Sequence, residues 1–387
     1  MTKPRRLRIA ILTHSTLPRG GVVHALELGA ALARMGHEVA VHAPDPTGKG
    51  FFRRPLCRTV CVPATPAGNA VVDMIEVRVA DYVRFFETAS HREFDVFHAQ
   101  DGISANALAT LKEHGLIGPF ARTVHHVDQF HDPKLKALQD RAITSADRLF
   151  VVSRLWHDWL ARGYGRDATV VGNGVDTERF SQRPRPEDIT LRERLAVRNG
   201  PIILSVGGVE ERKNTHRILQ AFQMLRQAWP TARLIIAGGS SLLDHSAYQS
   251  QFAELLRASR LPAEAVLRTG SIPDADMPSL YRIADALVFP SLQEGFGLVV
   301  LEAMASGVPV VISHLPPFTE YLGEDAAFWC DPCDVASITG AMLRALDPRR
   351  RWPKIIRGLD VARRHDWIKA AKPHLPDYFS LIEHAYA

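Results

Sequence analysis

The stretch PSLQEGFGLVVLEAMASGVPVVIS, Pro290 to Ser313, sets two glutamates, Glu294 and Glu302, on either side of a glycine-flanked phenylalanine and an otherwise apolar run. ALVFPS, which leads into it, has the length and apolarity of a buried strand. A helix is expected from Gly297 or Leu298, and VPVVIS reads as the next strand. Glu294 then falls in the loop at the strand end and Glu302 in the second turn of the helix. A buried carboxylate without a partner is costly, so both glutamates call for one, and a ligand is one answer.

Outward from this segment the same alternation recurs twice along the chain. LRIAILTHS, VAVHAP, FDVFHAQD, ARTVHHVD and RLFVVS are short apolar runs ending in polar residues, separated by helical stretches such as VVHALELGAALARMGHE. After NGVDTERFSQRPRPED, a Pro- and charge-rich stretch that reads as a linker, the pattern restarts at PIILSVGG. It continues through RLIIAGG, AVLRTGSI, ALVFPS and VPVVIS. This is the order of βαβ units and parallel sheet, giving an α/β protein of two doubly wound, Rossmann-like domains. At 387 residues the chain is also longer than single cores usually grow.

Composition bounds the function. Hydrophobic residues make up 46% and charged residues 23%, as in soluble globular chains, and the net charge of +5 favours anionic ligands without demanding nucleic acid. No window approaches ~18 uninterrupted apolar residues, and the apolar run Ile9 to Leu12 is too short for a signal peptide. A cytoplasmic protein is expected. Cys57 with Cys61 and Cys330 with Cys333 read as structural or incidental thiols, and Asp274 or Asp276 as a helix cap, so no metal site is expected.

Three further loops suggest chemistry. LPRGGVVH lacks the G-x-G-x-x-G of dinucleotide oxidoreductases, but Gly20 and Gly21 sit between strand and helix, where backbone N–H groups can approach a phosphate or simply turn tightly. GGVEERKNTHR offers Arg212 and Lys213 to a diphosphate. Eight helical positions at about 1.5 Å rise put the backbones of Glu294 and Glu302 about 12 Å apart, which suits one long ligand held at two points better than an acid/base pair on one bond. KGFFRRPLCR, Lys49 to Arg58, interleaves four cations with Phe51 and Phe52; it reads as a solvated loop, with contact to an anionic acceptor or membrane surface as the alternative.

Together GGVVHALELGAALARMGHEVAVH, TVHHVD, VVSR, NGVDTERF, VGGVEERKN and LYRIADALVFPSLQEGFGLVVLEAMASGVPVV resemble the retaining family 4 glycosyltransferases of the GT-B fold, and the closing HDWIKAAKPHLPDYFSLI extends the likeness over nearly the whole chain. The resemblance implies two Rossmann-like domains facing across a cleft, an acceptor-side domain at 1–180, a nucleotide-sugar domain at 181–365, and a C-terminal helix, 366–387, crossing back to the first. It implies transfer of a sugar from a nucleoside-diphosphate sugar to an acceptor hydroxyl, by a metal-independent front-face route in which the departing phosphate helps deprotonate the acceptor. No cofactor is implied beyond that substrate, and no nucleic acid. The acceptor is left open between lipid-linked and anionic hydroxyl compounds, with peripheral contact at the inner membrane face through Lys49 to Arg58.

By the same resemblance Glu294 contacts donor-sugar hydroxyls, Gly295, Phe296, Gly297 and Leu298 line the donor, Glu302 holds the ribose, and Arg212 and Lys213 neutralise the diphosphate. Gly20 and Gly21 add amides, and His125, next to His126, lies near the reaction centre. Loss of Glu302 should weaken nucleoside-diphosphate binding, whereas loss of Glu294 should lower kcat and barely change that binding. The chain departs from many members in carrying Gly208 where they have an arginine, which Arg212 can replace. A GT-B epimerase and a non-catalytic sugar-nucleotide-binding protein are the rival readings.

Overall fold

The computed structural model describes residues 5–68, 70–197, 200–239 and 245–385. The chain forms two compact units, one running through Asn173 and resuming at Trp367, the other spanning Gly174–Asp366.

The first unit is built on seven strands: β1 (Arg8–Leu12), β2 (Glu38–Asp45), β3 (Arg58–Pro63), β4 (Val96–Ala99), β5 (Ala121–Val124), β6 (Arg148–Val151) and β7 (Thr169–Val170). They lie in the order β3-β2-β1-β4-β5-β6-β7, all parallel. β4 and β5 are buried along their length, and β1 from Ile9 onward, because helices cover both faces, which is why they read as apolar runs rather than alternating ones. The last helices, Trp367–Ala371 and His374–Ala385, belong to this unit. The Tyr378 hydroxyl lies 2.7 Å from His98 Nδ1 on β4, and the Thr169 hydroxyl of β7 donates to Asp377 at 2.7 Å.

Six strands form the second sheet: β8 (Ile202–Val206), β9 (Arg233–Ala237), β10 (Val266–Gly270), β11 (Ala286–Phe289), β12 (Val310–Ser313) and β13 (Phe328–Cys330). Their order is β10-β9-β8-β11-β12-β13, again all parallel. In each sheet the strand order reverses once, between β1 and β4 and between β8 and β11. Loops at the carboxyl ends of such neighbours diverge and leave a crevice for ligand.

The stretch read as a linker is structured. Val175 and Phe180 are buried, Arg179 pairs with Asp274 at 2.8 Å, and Pro186–Arg194 is a helix held by Asp188 on Arg282 at 2.7 Å. Its prolines mark a helix start rather than open chain. Asp274 and Asp276 also differ from expectation, since neither caps the helix Met277–Arg282 with its side chain. The turn they occupy places them instead against Arg179 and Arg194.

Candidate functional site

The site in the second unit is assembled from the loops that follow β8 and β11, at the point where strand order reverses. After β8 the chain turns through Gly207 and Gly208, at φ +126° and +75°. A Cβ on Gly207 would stand 2.7 Å from Lys213 Cε, and one on Gly208 would stand 2.8 Å from the Gly239 carbonyl oxygen. The first glycine therefore lets the Lys213 stem pass against the backbone. The second packs its backbone against Gly239 too closely for any side chain to stand there.

A short turn, Glu211–Lys213, ends at Asn214, whose side-chain amide donates to the carbonyls of Pro290 and Pro332. With Leu292 N–H donating to the Arg212 carbonyl at 2.9 Å, this ties the two loops together. The result is one ionic cluster. Lys213 Nζ donates to Glu294 Oε1 at 2.6 Å, and Arg212 Nη1 donates to the same oxygen at 2.9 Å. Lys213 also lies 4.3 Å from the centre of the Phe289 ring.

Glu294 is 7% exposed and Lys213 9%. Burial, opposed by Glu294 and reinforced by Arg212, brings the Lys213 ammonium down to about 8. Burial alone would raise the Glu294 carboxyl, but Lys213 and Arg212 outweigh it and hold the group below the usual carboxylate range. Arg212 Nη2 also donates to the buried Glu210 at 3.5 Å, so two cations face two carboxylates, and an anion entering here would compete with Glu294 and Glu210 for their N–H groups.

Past Glu294 the backbone makes the turn that Gly297 permits at φ +94°, and Leu298–Ala305 follows as a helix. Phe296 is buried and stacks on Tyr321 at 4.4 Å, and the Tyr321 hydroxyl donates to the Phe296 carbonyl at 3.2 Å. Gly295 and Leu298 are half-buried beside it. Glu302, one turn into the helix, accepts from the buried Tyr281 hydroxyl at 2.7 Å. Both carboxylates of the opening segment thus have protein partners, and they are served by different elements.

In the first unit the corresponding strand ends carry His125, Gly20 and Gly21. The helix begins at Gly20, so the two glycines are its first residues rather than the turn before it, and their amides head the helix axis. His125 Nε2 lies 3.2 Å from Gln100 Oε1, and a Cβ on Gly21 would contact the same ring at 3.7 Å. His24 meets that ring edge-on at 4.8 Å and lies 2.6 Å from Asn173 through Nδ1. Burial first, then the charges of His24, His126 and Arg122, hold His125 well below its usual value, so its imidazole is neutral. His126 points elsewhere, exposed and 3.4 Å from Asp128.

The loop from Lys49 to Arg58 is less open than its composition suggests. Arg53 pairs with Glu27 at 2.7 Å, the Phe52 amide donates to the Thr16 carbonyl, and the Gly50 amide donates to Asp45.

Residues that motif reading passed over are Tyr281, Gln100, His24 and Tyr321. Each acts through a contact between segments distant in sequence. Tyr281 and His24 lay inside quoted motifs and Gln100 at the end of a quoted strand, with nothing in their spacing to tie them to Glu302, Asn173 or His125.

With this geometry in place, comparison with known proteins is direct. A family model described as glycosyl transferases group 1 matches residues 188–373, and one described as glycosyltransferase family 4 matches residues 18–179. The chain belongs to the family 4 glycosyltransferases. Among its relatives, a glycogen synthase of Mycobacterium tuberculosis is 27% identical over 84% of this chain and 81% of its own length. The sucrose-phosphate synthase of Thermosynechococcus elongatus superposes with a TM-score of 0.80 at 21% identity, over 98% of this chain and 100% of that one. HepE of Anabaena, solved with UDP-glucose, superposes with a TM-score of 0.79 at 19% identity, over 97% and 100%. The fold of this family 4 member is GT-B, and it is an enzyme of the hexosyltransferase type.

Proposed function

We propose that the chain is a retaining, metal-independent transferase that takes a sugar from a nucleoside-diphosphate sugar to an acceptor hydroxyl. The observation that carries the reading is the convergence of Arg212 and Lys213 on one point at the β8/β11 strand ends. A diphosphate with developing negative charge needs such a pair, and preorganised donors of this kind each contribute about 2.7–4 kcal/mol in oxyanion sites. A UDP-glucose complex of a protein with the same fold supports the donor class.

In this reading the anomeric carbon–oxygen bond breaks with its electron pair passing to the diphosphate, which Arg212 and Lys213 stabilise. The acceptor oxygen bonds to the anomeric carbon on the same face, and its proton passes to the departing phosphate oxygen. Glu294 serves the donor-sugar hydroxyls, with Gly295, Phe296, Gly297 and Leu298 around it, and Glu302, held by Tyr281, serves the ribose. His125, neutral and beside Gly21, is assigned to the same reaction as a hydrogen-bonding group, with the Gly20 and Gly21 amides assigned to the donor phosphate.

The test is incubation with a panel of sugar nucleotides, with and without sugar, polyol and lipid-linked acceptors. Release of nucleoside diphosphate and the anomeric configuration of the product are followed by NMR. Acceptor-dependent release with retained configuration is expected. Conversion of the donor without an acceptor would instead mark an epimerase, and binding without turnover a non-catalytic module.

A further inference from the structure

The helix Pro348–Arg364 in the second unit, PRRRWPKIIRGLDVARR, carries seven cations and a single carboxylate. The whole chain nets +5, so this one helix is more positive than the protein. Its inner face is ordinary: Ile355, Gly358, Val361 and Ala362 are buried. Its outer face is not. Trp352 is 59% exposed and Ile356 58%, and four residues of spacing sets them side by side on one face. Arg349, Arg350, Arg357 and Arg363 are exposed as well.

The carboxylates nearby do not neutralise the face. Arg350 meets Asp347 at 3.4 Å, Arg357 meets Asp325 at 2.8 Å and Arg363 meets Asp360 at 2.8 Å, all of them solvent-exposed pairs. Such pairs contribute little and exchange readily for another anion.

We propose that this face of Pro348–Arg364 docks on an anionic lipid surface, with Trp352 and Ile356 entering the headgroup layer and the arginines pairing with lipid phosphates. A large aromatic and a branched aliphatic residue set among cations is the composition of helices that lie in a membrane interface. The charge argues against a second copy of the chain, because a twofold contact would bring two such helices together. A nucleic-acid backbone would satisfy the arginines but offer Ile356 nothing to bury against. The Lys49 to Arg58 loop serves less well, since Arg53 is committed to Glu27.

The experiment uses the full chain and co-sedimentation with phosphatidylcholine vesicles, either pure or containing about a third phosphatidylglycerol. Binding is expected only to the anionic vesicles, and weaker at roughly 0.5 M than at roughly 0.1 M salt. The pairs Trp352→Ala with Ile356→Ser, and Arg349→Glu with Arg350→Glu, should each lower partitioning about tenfold or more, at unchanged thermal midpoint. Arg349→Gln with Arg350→Gln provides a milder pair should the reversal perturb folding. The proposal is overturned if wild-type protein ignores anionic vesicles, or if both variant pairs bind them as wild type does. It is equally overturned if the face retains an oligonucleotide but not vesicles, or if it mediates a dimer that Trp352→Ala dissolves.

Discussion

Glu294→Gln should tighten binding of free nucleoside diphosphate, although it removes a group assigned to catalysis. In the unliganded protein the Glu294 carboxylate takes a hydrogen bond from Lys213 at 2.6 Å and one from Arg212 at 2.9 Å, the two donors a diphosphate needs. A charge-assisted bond of this kind contributes about 1.5–3 kcal/mol. If a diphosphate must displace one of them, removing the carboxylate strengthens binding by about that amount, roughly tenfold to a hundredfold. Breaking the buried pair has its own cost in stability, about 3–5 kcal/mol, so circular dichroism must first show the variant folded.

Protonation decides how much of the gain survives. Lys213 sits at about 8 with Glu294 beside it, and without that carboxylate it falls further. The tightening should therefore be largest near pH 6, where the ammonium is charged, and shrink as the pH rises toward 8. Isothermal titration calorimetry with UDP, GDP and ADP at both pH values measures this, alongside kcat for turnover. Unchanged or weaker binding at the acid pH would refute the argument and restore the simpler expectation that Glu294 has no bearing on the free diphosphate.

Tyr281→Phe removes the 2.7 Å donor to Glu302 and should weaken nucleoside-diphosphate binding by about 1.5–3 kcal/mol at most, with kcat nearly unchanged; an effect confined to kcat would contradict the ribose assignment. Acidification should destabilise the first unit, because burial brings His24 down to about 4 from an unfolded value of 6.5. The unfolded chain binds the proton first, so stability is full above 6.5, declines below it and levels near 4, a loss of about 3 kcal/mol from this residue. Thermal melts across that range should show the decline, and His24→Gln should make it shallower, the remainder coming from the buried His42, His98, His125 and His374. Transfer should survive EDTA, since the charge work is given to Arg212 and Lys213; loss of activity restored by magnesium or manganese would remove that assignment.

Much of the architecture was legible from local pattern alone. Central strands such as ALVF and VPVVIS are buried on both faces, so continuous apolarity announces them. Missed strands lie at sheet edges: Arg58–Pro63, Thr169–Val170 and Phe328–Cys330. An edge has less surface to bury and so a weaker pattern, and β3 hides in the tail of a basic loop. The start of the helix at Leu298 was readable because a glycine at positive φ precedes it.

Hydrophobic period and glycine placement are local properties of the chain, so the two-sheet α/β class and the loops that carry the polar groups can be read from the order of residues alone. Which polar group meets which was decided only by tertiary structure. Glu294 and Lys213 are 81 residues apart, Glu302 and Tyr281 21, and His24 and Asn173 149. Nothing in a local pattern encodes those pairings. They arise because parallel strands bring distant loops to one edge of a sheet, where burial then forces each charge to find a partner.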